Sequence, residues 1–394
     1  MKLAYITNAR IPSERANGMQ TAQMCAAFAV AGAEVTLYHP RRRNWAEFAN
    51  VDVWQYYGVP RMFTLRPVSC IDLFHLSGKQ LWLERFVFLL QTFTFALSLL
   101  AVLIRQPADV YYSRDPFVLA LLALGLPHAR KRMLFEAHSF PQSRIGRAFR
   151  RWALRRVKGT VTISLALEKL YVALGLSPHS VMTAHDGVDI SRFGAVPQVE
   201  ARNALGLPLD GKLVVYTGGL YPGRGLEELI QAIKGLAATL VIVGGKDVAA
   251  AQRLKDCAAQ NGVSNVLFVG HRPPTDIPVY LAAANVLAMP YSRRTVAPGG
   301  ITTDWMSPLK MFEYMAAARP IVASDLPVLR EVLRDDENAL MVKPDDAGSL
   351  ADGLRRLLAN STLAARLAAQ ARHDVEAHTW EARAKKILEF AGKN

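Results

Sequence analysis

The sequence predicts an α/β protein with two doubly wound domains, each built on a parallel β-sheet. The chain of 394 residues is longer than a single hydrophobic core usually supports. Short apolar runs rich in β-branched residues alternate with longer helical patterns, and this alternation occurs in two successive series. Apolar strands separated by helices are typical of parallel sheets that are covered on both faces. The predicted domains are 1–195 and 196–376, followed by a terminal segment 377–394.

Six strands are predicted in each domain. In the first domain they are 3–9, 33–38, 108–115, 132–139, 159–164 and 180–185. In the second domain they are 213–219, 239–245, 265–271, 285–290, 320–324 and 339–344. Ligands of doubly wound sheets bind at the carboxyl ends of the strands, so we expect the site in a cleft between the two domains.

Composition excludes several other classes of protein. Apolar residues make up 51% of the chain and charged residues 20%, which is typical of a globular protein. The three cysteines lie far apart without metal-ligand spacing, which indicates a reducing compartment and argues against a structural metal. The first residues contain no long apolar segment, so we expect no secretory signal. No Asp-x-Asp triplet occurs, so no carboxylate-held divalent metal is expected.

The segment WMSPLKMFEYMA, residues 305–316, combines a helix start with two charges. Ser307 is predicted to cap the helix, and Pro308 suits its first turn because proline lacks the amide that would be unpaired there. The amides of Leu309, Lys310 and Met311 then point out of the helix end, where the helix dipole favours an anion.

Lys310 and Glu313 are three residues apart and share a face of this helix. A glutamate at this depth can accept hydrogen bonds from a vicinal diol such as a ribose. The alternative is a capped core helix with one surface ion pair, and this segment alone favours neither interpretation.

A glycine-rich loop, YTGGLYPGRG, follows the first strand of the second domain. Gly218, Gly219, Gly223 and Gly225 allow the backbone to approach a ligand closely, and the planar guanidinium of Arg224 suits a diphosphate. The loop matches neither a Walker motif nor a dinucleotide fingerprint, and the first strand lacks the fingerprint of a dehydrogenase. Together with the helix described above, the loop predicts a site for a nucleoside diphosphate.

In the first domain, Gly18 is predicted to mark the turn between the first strand and its helix. His138 ends a predicted strand, with Glu136 two residues before it. Such a histidine can position a reacting hydroxyl or exchange a proton with it. A purely structural histidine is the alternative, and a single histidine favours that alternative.

Together these segments resemble the retaining, metal-independent glycosyltransferases of family 4, which have two Rossmann-like domains facing a cleft in the GT-B fold. The likeness covers most of the chain. It is carried by the Gly18 loop, 136–138, 186–189, the 218–225 loop, 307–327 and the segment TWEARAKKILEF. The resemblance implies that residues 377–394 form a helix that crosses back to the first domain.

The resemblance also implies roles for the candidate residues. Glu313 would hold the nucleotide ribose, Ser307 to Met311 would supply amides to the diphosphate, and Arg224 would replace the family's diphosphate lysine. Gly18 would approach the diphosphate or the sugar, and His138 would lie beside the transferring sugar. His138, Glu313 and Arg224 are the implied catalytic residues. No cofactor or metal is expected, since the nucleotide sugar is a substrate.

The sequence departs from the family at two positions. Gly219 stands where the family has a diphosphate arginine, and Trp305 stands where the family's E-x7-E pattern has its first glutamate. Asp304, one residue away, is a candidate replacement.

Charge and hydropathy predict a membrane partner for the first domain. Residues 1–190 carry 23 basic against 12 acidic residues, whereas 191–394 carry 24 against 21. The segment 81–106 contains an uncharged apolar run, and 143–159 alternates seven cations with apolar residues. We expect a partly buried helix with one face in an anionic membrane interface. The alternatives are an internal helix and a solvated basic helix. No nucleic-acid recognition module is present in the sequence.

The predicted function is transfer of a sugar from a nucleotide sugar to a lipid-linked or polysaccharide acceptor at the cytoplasmic face of the membrane. Two alternatives remain open, a nucleotide-sugar epimerase of the same fold and a non-catalytic, membrane-associated nucleotide-binding protein.

Overall fold

The computed structural model describes residues 1–13, 15–76, 81–194, 196–297 and 300–393. The chain divides into two compact units, which we call unit 1 (Met1–His185 and Trp380–Asn394) and unit 2 (Asp186–Thr379). The predicted boundary, residue 195, lies outside the described residues. The segment preceding it belongs to unit 2, because Val188 and Phe193 are buried in the hydrophobic core of that unit.

Within the described part of unit 1, seven strands form one parallel sheet in the order β3-β2-β1-β4-β5-β6-β7. The strands are β1 (Lys2–Ile6), β2 (Glu34–Pro40), β3 (Thr64–Val68), β4 (Val110–Ser113), β5 (Met133–Ala137), β6 (Gly159–Thr162) and β7 (Val181–Thr183). The chain direction across the sheet reverses between β1 and β4, so their carboxyl ends flank the switch point at which such sheets bind ligands.

The helices of unit 1 connect these strands. They are α1 (Ala16–Val30), α2 (Val53–Tyr57), α3 (Leu81–Arg105), α4 (Pro116–Gly125), α5 (Arg144–Leu154) and α6 (Leu165–Ala173). The last helix of the chain, Trp380–Gly392, also belongs to unit 1 and packs against α1. The predicted return of the terminal segment to the first domain is therefore present, although the helix begins at residue 380 rather than at 377.

Unit 2 contains a second parallel sheet, whose six described strands are ordered β10-β9-β8-β11-β14-β15. The strands of unit 2 are β8 (Lys212–Thr217), β9 (Ala238–Val243), β10 (Val266–Gly270), β11 (Val286–Met289), β12 (Val296–Ala297), β13 (Gly300–Ile301), β14 (Ile321–Ser324) and β15 (Leu340–Val342). The short strands β12 and β13 form a separate antiparallel pair. The predicted strands of the second domain correspond to the six strands of the sheet.

Helices cover both faces of this sheet, as its apolar strands predict. They are α7 (Gln198–Leu205), α8 (Leu226–Ala232), α9 (Val248–Gln260), α10 (Ile277–Ala283), α11 (Leu309–Ala316), α12 (Ala347–Ala359) and α13 (Ser361–Asp374), and the terminal helix of unit 1 is then α14. Two clusters of buried apolar side chains lie on the two sides of the sheet. Both units are thus Rossmann-like, as predicted.

Helix α3 is long and apolar enough, from Trp82 to Arg105, to cross a membrane by length and composition. It follows β3 and precedes β4 in the chain. Since β1 pairs with both β2 and β4 in one sheet, a spanning orientation would separate strands that are hydrogen-bonded to each other. Helix α3 is therefore part of the fold of unit 1, with one face against the unit and one face exposed.

Candidate active site

The glycine-rich loop follows β8 in unit 2 and is fixed to α11. The amide of Thr217 donates a hydrogen bond of 2.8 Å to the hydroxyl of Tyr314. The buried Tyr216 hydroxyl donates to the carbonyl of Gly219 at 2.9 Å. Gly218 has a φ of +134°, and a Cβ atom there would lie 2.8 Å from the Nζ atom of Lys310. Glycine at this position therefore allows both the turn and the close approach of a cation.

The ammonium group of Lys310, a residue of α11, lies against this loop at Gly218. Its Nζ atom is buried, lies 3.7 Å from the centre of the Tyr216 ring, and has no hydrogen-bond partner among the described residues. Burial, with a smaller contribution from the nearby Arg224, lowers the pKa of Lys310 well below its ordinary value, and Glu313 opposes this only in part. Burial of a hydrogen-bond donor without a partner costs free energy. The site therefore favours an anion that accepts a hydrogen bond from Lys310.

The guanidinium of Arg224 is the second cation of the loop. Its carbon atom lies 5.0 Å from the centre of the Tyr291 ring, which Lys310 also approaches at 5.4 Å. In the parts of the chain that the structure describes, neither cation forms an ion pair with a carboxylate, and the Nζ atom of Lys310 and the Nε atom of Arg224 are buried without a hydrogen-bond partner. Two neighbouring cations that lie on aromatic rings have the charge and the free donors that a polyanion would require.

The predicted start of α11 is wrong in its details. The helix begins at Leu309, with Pro308 in extended conformation at the capping position and no side-chain cap. The hydroxyl of Ser307 instead accepts a hydrogen bond of 3.2 Å from the amide of Asp186. The amide of Met311 donates to the Pro308 carbonyl at 2.9 Å, so it does not point to a ligand. The amides of Leu309 and Lys310 therefore remain as the helix-end donors.

Glu313 lies one turn further along α11 and is half-buried. Among the described residues it does not pair with Lys310, whose Nζ atom has no hydrogen-bond partner. The alternative of a surface ion pair between these two residues is therefore wrong. Burial raises the pKa of Glu313, and the neighbouring Arg192 and Lys310 oppose that rise. A carboxylate of this kind is available to accept hydrogen bonds from a hydroxylated ligand.

The structure describes both positions at which the sequence departs from the family pattern. A Cβ atom at Gly219 would lie 2.5 Å from the Cε2 atom of Tyr221, an exposed ring that a larger side chain would have to displace. Trp305 is only 5% exposed, whereas Asp304 is exposed. The position of the family's first glutamate is therefore part of the hydrophobic interior. Lys310, which approaches Gly218, places a cation next to the position of the absent arginine.

In unit 1, His138 follows β5 and lies near a buried carboxylate. Its Nε2 atom is 3.1 Å from the Oε1 atom of Glu136, whose side chain is completely buried. Burial alone would raise the pKa of Glu136, but Arg383, His138 and Arg114 hold that pKa well below its ordinary value. A charged carboxylate thus lies beside the candidate catalytic histidine.

Gly18 does not lie in a turn. It is the third residue of α1, and a Cβ atom there would lie 2.3 Å from the hydroxyl of Tyr57. That hydroxyl accepts a hydrogen bond from the amide of Ser13 and donates one to its carbonyl. Gly18 is therefore required for the packing of α1 against α2. The sequence did not indicate this role.

Sequence reasoning missed the aromatic residues that hold the cations, Tyr216 and Tyr291, and the partner of Glu136 on the terminal helix, Arg383. Tyr216 and Tyr291 follow the apolar pattern of a strand and its end, so nothing distinguished them from core residues. Arg383 is 247 residues from Glu136 in the chain, and no local pattern joins them.

Two family models match the chain over most of both units. A model described as Glycosyltransferase Family 4 matches residues 18–192, and a model described as Glycosyl transferases group 1 matches residues 211–360. The chain belongs to this family of group 1 glycosyltransferases, as its resemblance predicted.

Curated proteins with similar sequences carry glycosyltransferase names, in agreement with this family. A D-inositol 3-phosphate glycosyltransferase from Acidothermus cellulolyticus is 30% identical over 217 residues, covering 52% of this chain and 45% of that protein. A phosphatidyl-myo-inositol mannosyltransferase from Mycobacterium leprae is 30% identical over 209 residues, covering 52% and 51%. The chain thus spans about half the length of these curated relatives.

Similarity to a solved structure extends over the whole chain. The Anabaena protein Alr3699/HepE in complex with UDP has a TM-score of 0.74 and 16% sequence identity to this chain, and the alignment covers 99% of both chains. This likeness identifies the fold, which is that of two Rossmann-like domains.

Proposed function

We propose that this protein transfers a sugar from a nucleotide-sugar donor to an acceptor, with retention of configuration and without a metal ion. The observation that carries the proposal is the pair of cations at the β8 loop, Lys310 and Arg224, which lie on aromatic rings without a carboxylate partner in the described chain. The solved Anabaena relative was crystallised with UDP, and a nucleoside diphosphate supplies the anion that this pair lacks.

Catalysis in this arrangement is mainly electrostatic. Breaking the bond between sugar and phosphate increases the negative charge on the departing diphosphate, while the sugar becomes more positive. Lys310, Arg224 and the first amides of α11 meet the negative charge, and Glu313 accepts hydrogen bonds from the ribose. Removing one preorganised donor of this kind typically lowers the rate by about two to three orders of magnitude. In unit 1, His138 would hold a hydroxyl of the transferring sugar.

The donor site is tested by thermal unfolding with UDP, GDP, ADP and other nucleoside diphosphates, followed by the matching nucleotide sugars. A bound ligand raises the unfolding temperature. Lys310→Met should abolish most of the shift. The control is Lys255→Met, which removes an exposed lysine that lies 5.9 Å from the Phe268 ring, in the same unit. Equal ligand shifts in both variants, or no shift with any nucleotide, would contradict the proposal.

Turnover is tested with the nucleotide sugar that gives the largest shift. Glu313→Ala and Arg224→Ala should each lower release of nucleoside diphosphate by at least about 100-fold while the circular dichroism spectrum is unchanged. Release that requires an added acceptor supports a transferase. Interconversion of the sugar without an acceptor would instead identify an epimerase, and tight binding without turnover would identify a binding protein.

We place the acceptor at a cytoplasmic membrane surface, and the exposed face of α3 supports this. Six apolar residues at helical spacing form a stripe along the outer face, each between 43% and 68% exposed: Trp82, Phe86, Leu89, Phe93, Leu97 and Ile104. Gln91 and Thr92 of this helix are buried on its inner side, where Gln91 donates to Asn8 and Asn8 donates to Thr92. Apolar side chains outside and polar ones inside favour an apolar medium around the outer face.

Helix α5 adds positive charge on the same face of the sheet as α3. Its exposed residues include Arg144, Arg147 and Arg151, together with Ile145, which is 84% exposed, and Trp152. Helix α4 packs against both α3 and α5, and right-handed crossovers place the three helices on one face of the sheet. Each cation near an anionic bilayer contributes about 1 kcal/mol. A lipid-linked acceptor agrees with this surface, as does the name of the Mycobacterium leprae relative.

Flotation with lipid vesicles tests the membrane proposal. The protein should float with vesicles that contain phosphatidylglycerol and less well with phosphatidylcholine alone. The triple variant Trp82→Ser, Phe86→Ser, Phe93→Ser should remain at the bottom of the gradient. The control variant, Leu209→Ser with Val248→Ser, removes exposed apolar residues of unit 2 and should float like the unmodified chain. Flotation of the triple variant to the same extent would contradict the proposed surface.

A further inference from the structure

The terminal helix α14 places a cation in the interior of unit 1. The side chain of Arg383 is only 2% exposed, and its NH2 atom lies 2.7 Å from the Oε1 atom of Glu136. Its Nε atom also donates to the carbonyls of Ala184 and His185, at 3.2 and 2.9 Å. Its NH1 atom donates to the Sδ atom of Met24 at 3.1 Å, so the guanidinium is held in one orientation by four acceptors.

Glu136 is the centre of a larger set of donors. Its Oε1 atom also accepts a hydrogen bond of 2.7 Å from the side-chain amide of Gln20, and its Oε2 atom accepts one of 3.2 Å from the hydroxyl of Tyr5. Gln20 in turn accepts from Arg114 at 2.7 Å. Every contact of this set favours the ionised carboxylate. The Nε2 atom of His138, at 3.1 Å, faces the same Oε1 atom.

Attachment of the helix alone does not explain the buried pair. Lys386, one turn further along α14, donates to the carbonyl of Thr183 at 2.8 Å and joins the helix to unit 1 without a buried carboxylate. Buried ion pairs are often no more stable than apolar residues of the same volume. The position of Glu136, two residues before His138, indicates a role beyond stability.

We propose that Arg383 is a positioning residue that acts through Glu136 on His138. By fixing the Glu136 carboxylate in place and in its charged form, Arg383 keeps a negative charge 3.1 Å from the Nε2 atom of the imidazole. That charge favours the tautomer with its hydrogen on Nε2. The ring is then held in one orientation and one tautomer, with the lone pair on Nδ1. The catalytic part of this inference depends on the proposed function, whereas the orientation of the ring does not.

Three variants and one control test the inference. Arg383→Met removes the charge at similar volume, Arg383→Lys keeps the charge but loses the planar fork, and Glu136→Gln removes the acceptor carboxylate. Lys386→Met is the matched control, since it removes another contact of α14 without touching Glu136. The measurements are steady-state kinetics with the nucleotide sugar found by screening, thermal unfolding, and the ring nitrogen resonances of His138 by NMR. The resonances are assigned by their absence in His138→Gln.

Arg383→Met should lower kcat by about 10- to 100-fold with little change in KM, because a small displacement of a catalytic group has an effect of this size. It should also change the relative populations of the two imidazole tautomers, as should Glu136→Gln. Arg383→Lys should restore part of kcat and of the tautomer ratio. Lys386→Met should change neither, even if it lowers the unfolding temperature.

Equal losses of kcat and of unfolding temperature in Arg383→Met and Lys386→Met would show that Arg383 only attaches the helix. Unchanged His138 resonances in Arg383→Met and Glu136→Gln would overturn the inference. The NMR measurement decides this even if the unmodified chain turns over no nucleotide sugar, an outcome that contradicts the proposed function separately. If Arg383→Met does not fold, the double variant with Glu136→Gln removes both charges. A native tautomer ratio in that variant would also overturn the inference.

Discussion

The Nζ atom of Lys310 lies 3.7 Å from the centre of the Tyr216 ring, with its hydrogen-bonding capacity unused in the described structure. An aromatic face stabilises a cation less than a carboxylate does, but it leaves the cation available to a ligand. Because of burial and of the nearby Arg224, the pKa of Lys310 is well below its ordinary value of 10.5. An anionic ligand is therefore the best hydrogen-bond acceptor for this ammonium group.

Binding of a nucleoside diphosphate should be accompanied by proton uptake at Lys310. A bound diphosphate raises the pKa of the ammonium group, so above the lowered pKa of the free protein Lys310 gains a proton on binding. Affinity should accordingly fall as the pH rises above that value, and no uptake should occur below it. Isothermal titration calorimetry in buffers of different ionisation enthalpy measures the number of protons taken up.

Lys310→Met serves as the control for this measurement. It should remove the proton uptake and weaken binding by about 10- to 100-fold, the value of one hydrogen bond to a charged group. Proton uptake that persists in Lys310→Met would assign the titration to another group.

Gly225→Ala should destabilise unit 2 more than a substitution at a comparable glycine. The φ angle at Gly225 is +69°, and a Cβ atom would lie 1.5 Å from the carbonyl oxygen of Pro290. Gly211 has a φ of +84° with nothing near the position of a Cβ, so Gly211→Ala isolates the backbone strain. That strain alone costs about 1 kcal/mol. The midpoints of urea unfolding should place Gly225→Ala clearly below Gly211→Ala, and equal midpoints would contradict the close approach.

Restoring the family's glutamate at position 305 should not improve activity. Trp305 is buried, so Trp305→Glu removes a large apolar side chain and introduces a carboxylate into the interior. Loss of a buried aromatic side chain alone costs about 3–5 kcal/mol. Thermal unfolding should show a large loss of stability, whereas Asp304→Glu, at an exposed position, should leave it nearly unchanged. A stable and more active Trp305→Glu would show that the site tolerates the family pattern.

Acid should destabilise unit 1 through Glu136. Its pKa in the folded state is well below the ordinary value of 4.5. The contribution to stability is therefore present above pH 4.5 and is lost as the pH falls through the folded-state pKa. Glu136→Gln should be less stable near neutral pH, because Arg383 is left without its carboxylate, but it should lose less stability on acidification. Chemical unfolding at a series of pH values measures both.

The exposed pair of Asp325 and Arg330 provides the comparison for this experiment. The pKa of Asp325 is also lowered, by its hydrogen bond with Arg330, yet both side chains are well exposed to solvent. Exposed pairs contribute about 0–1 kcal/mol. Asp325→Asn should therefore change the pH dependence only slightly, and an effect as large as that of Glu136→Gln would mean that burial of the pair is not decisive.

Most of the two sheets was predictable from the sequence, because buried parallel strands are continuous apolar runs. The strand β3 was missed since it contains Arg66 and Pro67 and lies at the edge of the sheet, where such residues are tolerated. The hairpin of β12 and β13 was missed because two-residue strands have no periodicity.

The candidate site was predictable in composition but not in geometry. The sequence indicated Lys310, Arg224 and Glu313, yet the Lys310 and Glu313 side chains do not pair, and Ser307 contacts Asp186 instead of capping α11. These differences arise from tertiary contacts that no local pattern encodes. For the same reason the sequence did not indicate which face of α3 is exposed.

The division of unit 1 into two segments has a consequence for synthesis on the ribosome. Residues up to His185 emerge first, and about 190 further residues of unit 2 follow before α14 is translated. At 5–20 residues per second this delay lasts about 10–40 s. During that time the nascent first domain contains Glu136 without Arg383. A premature stop codon anywhere before residue 380 therefore affects the amino-terminal domain as directly as the carboxyl-terminal one.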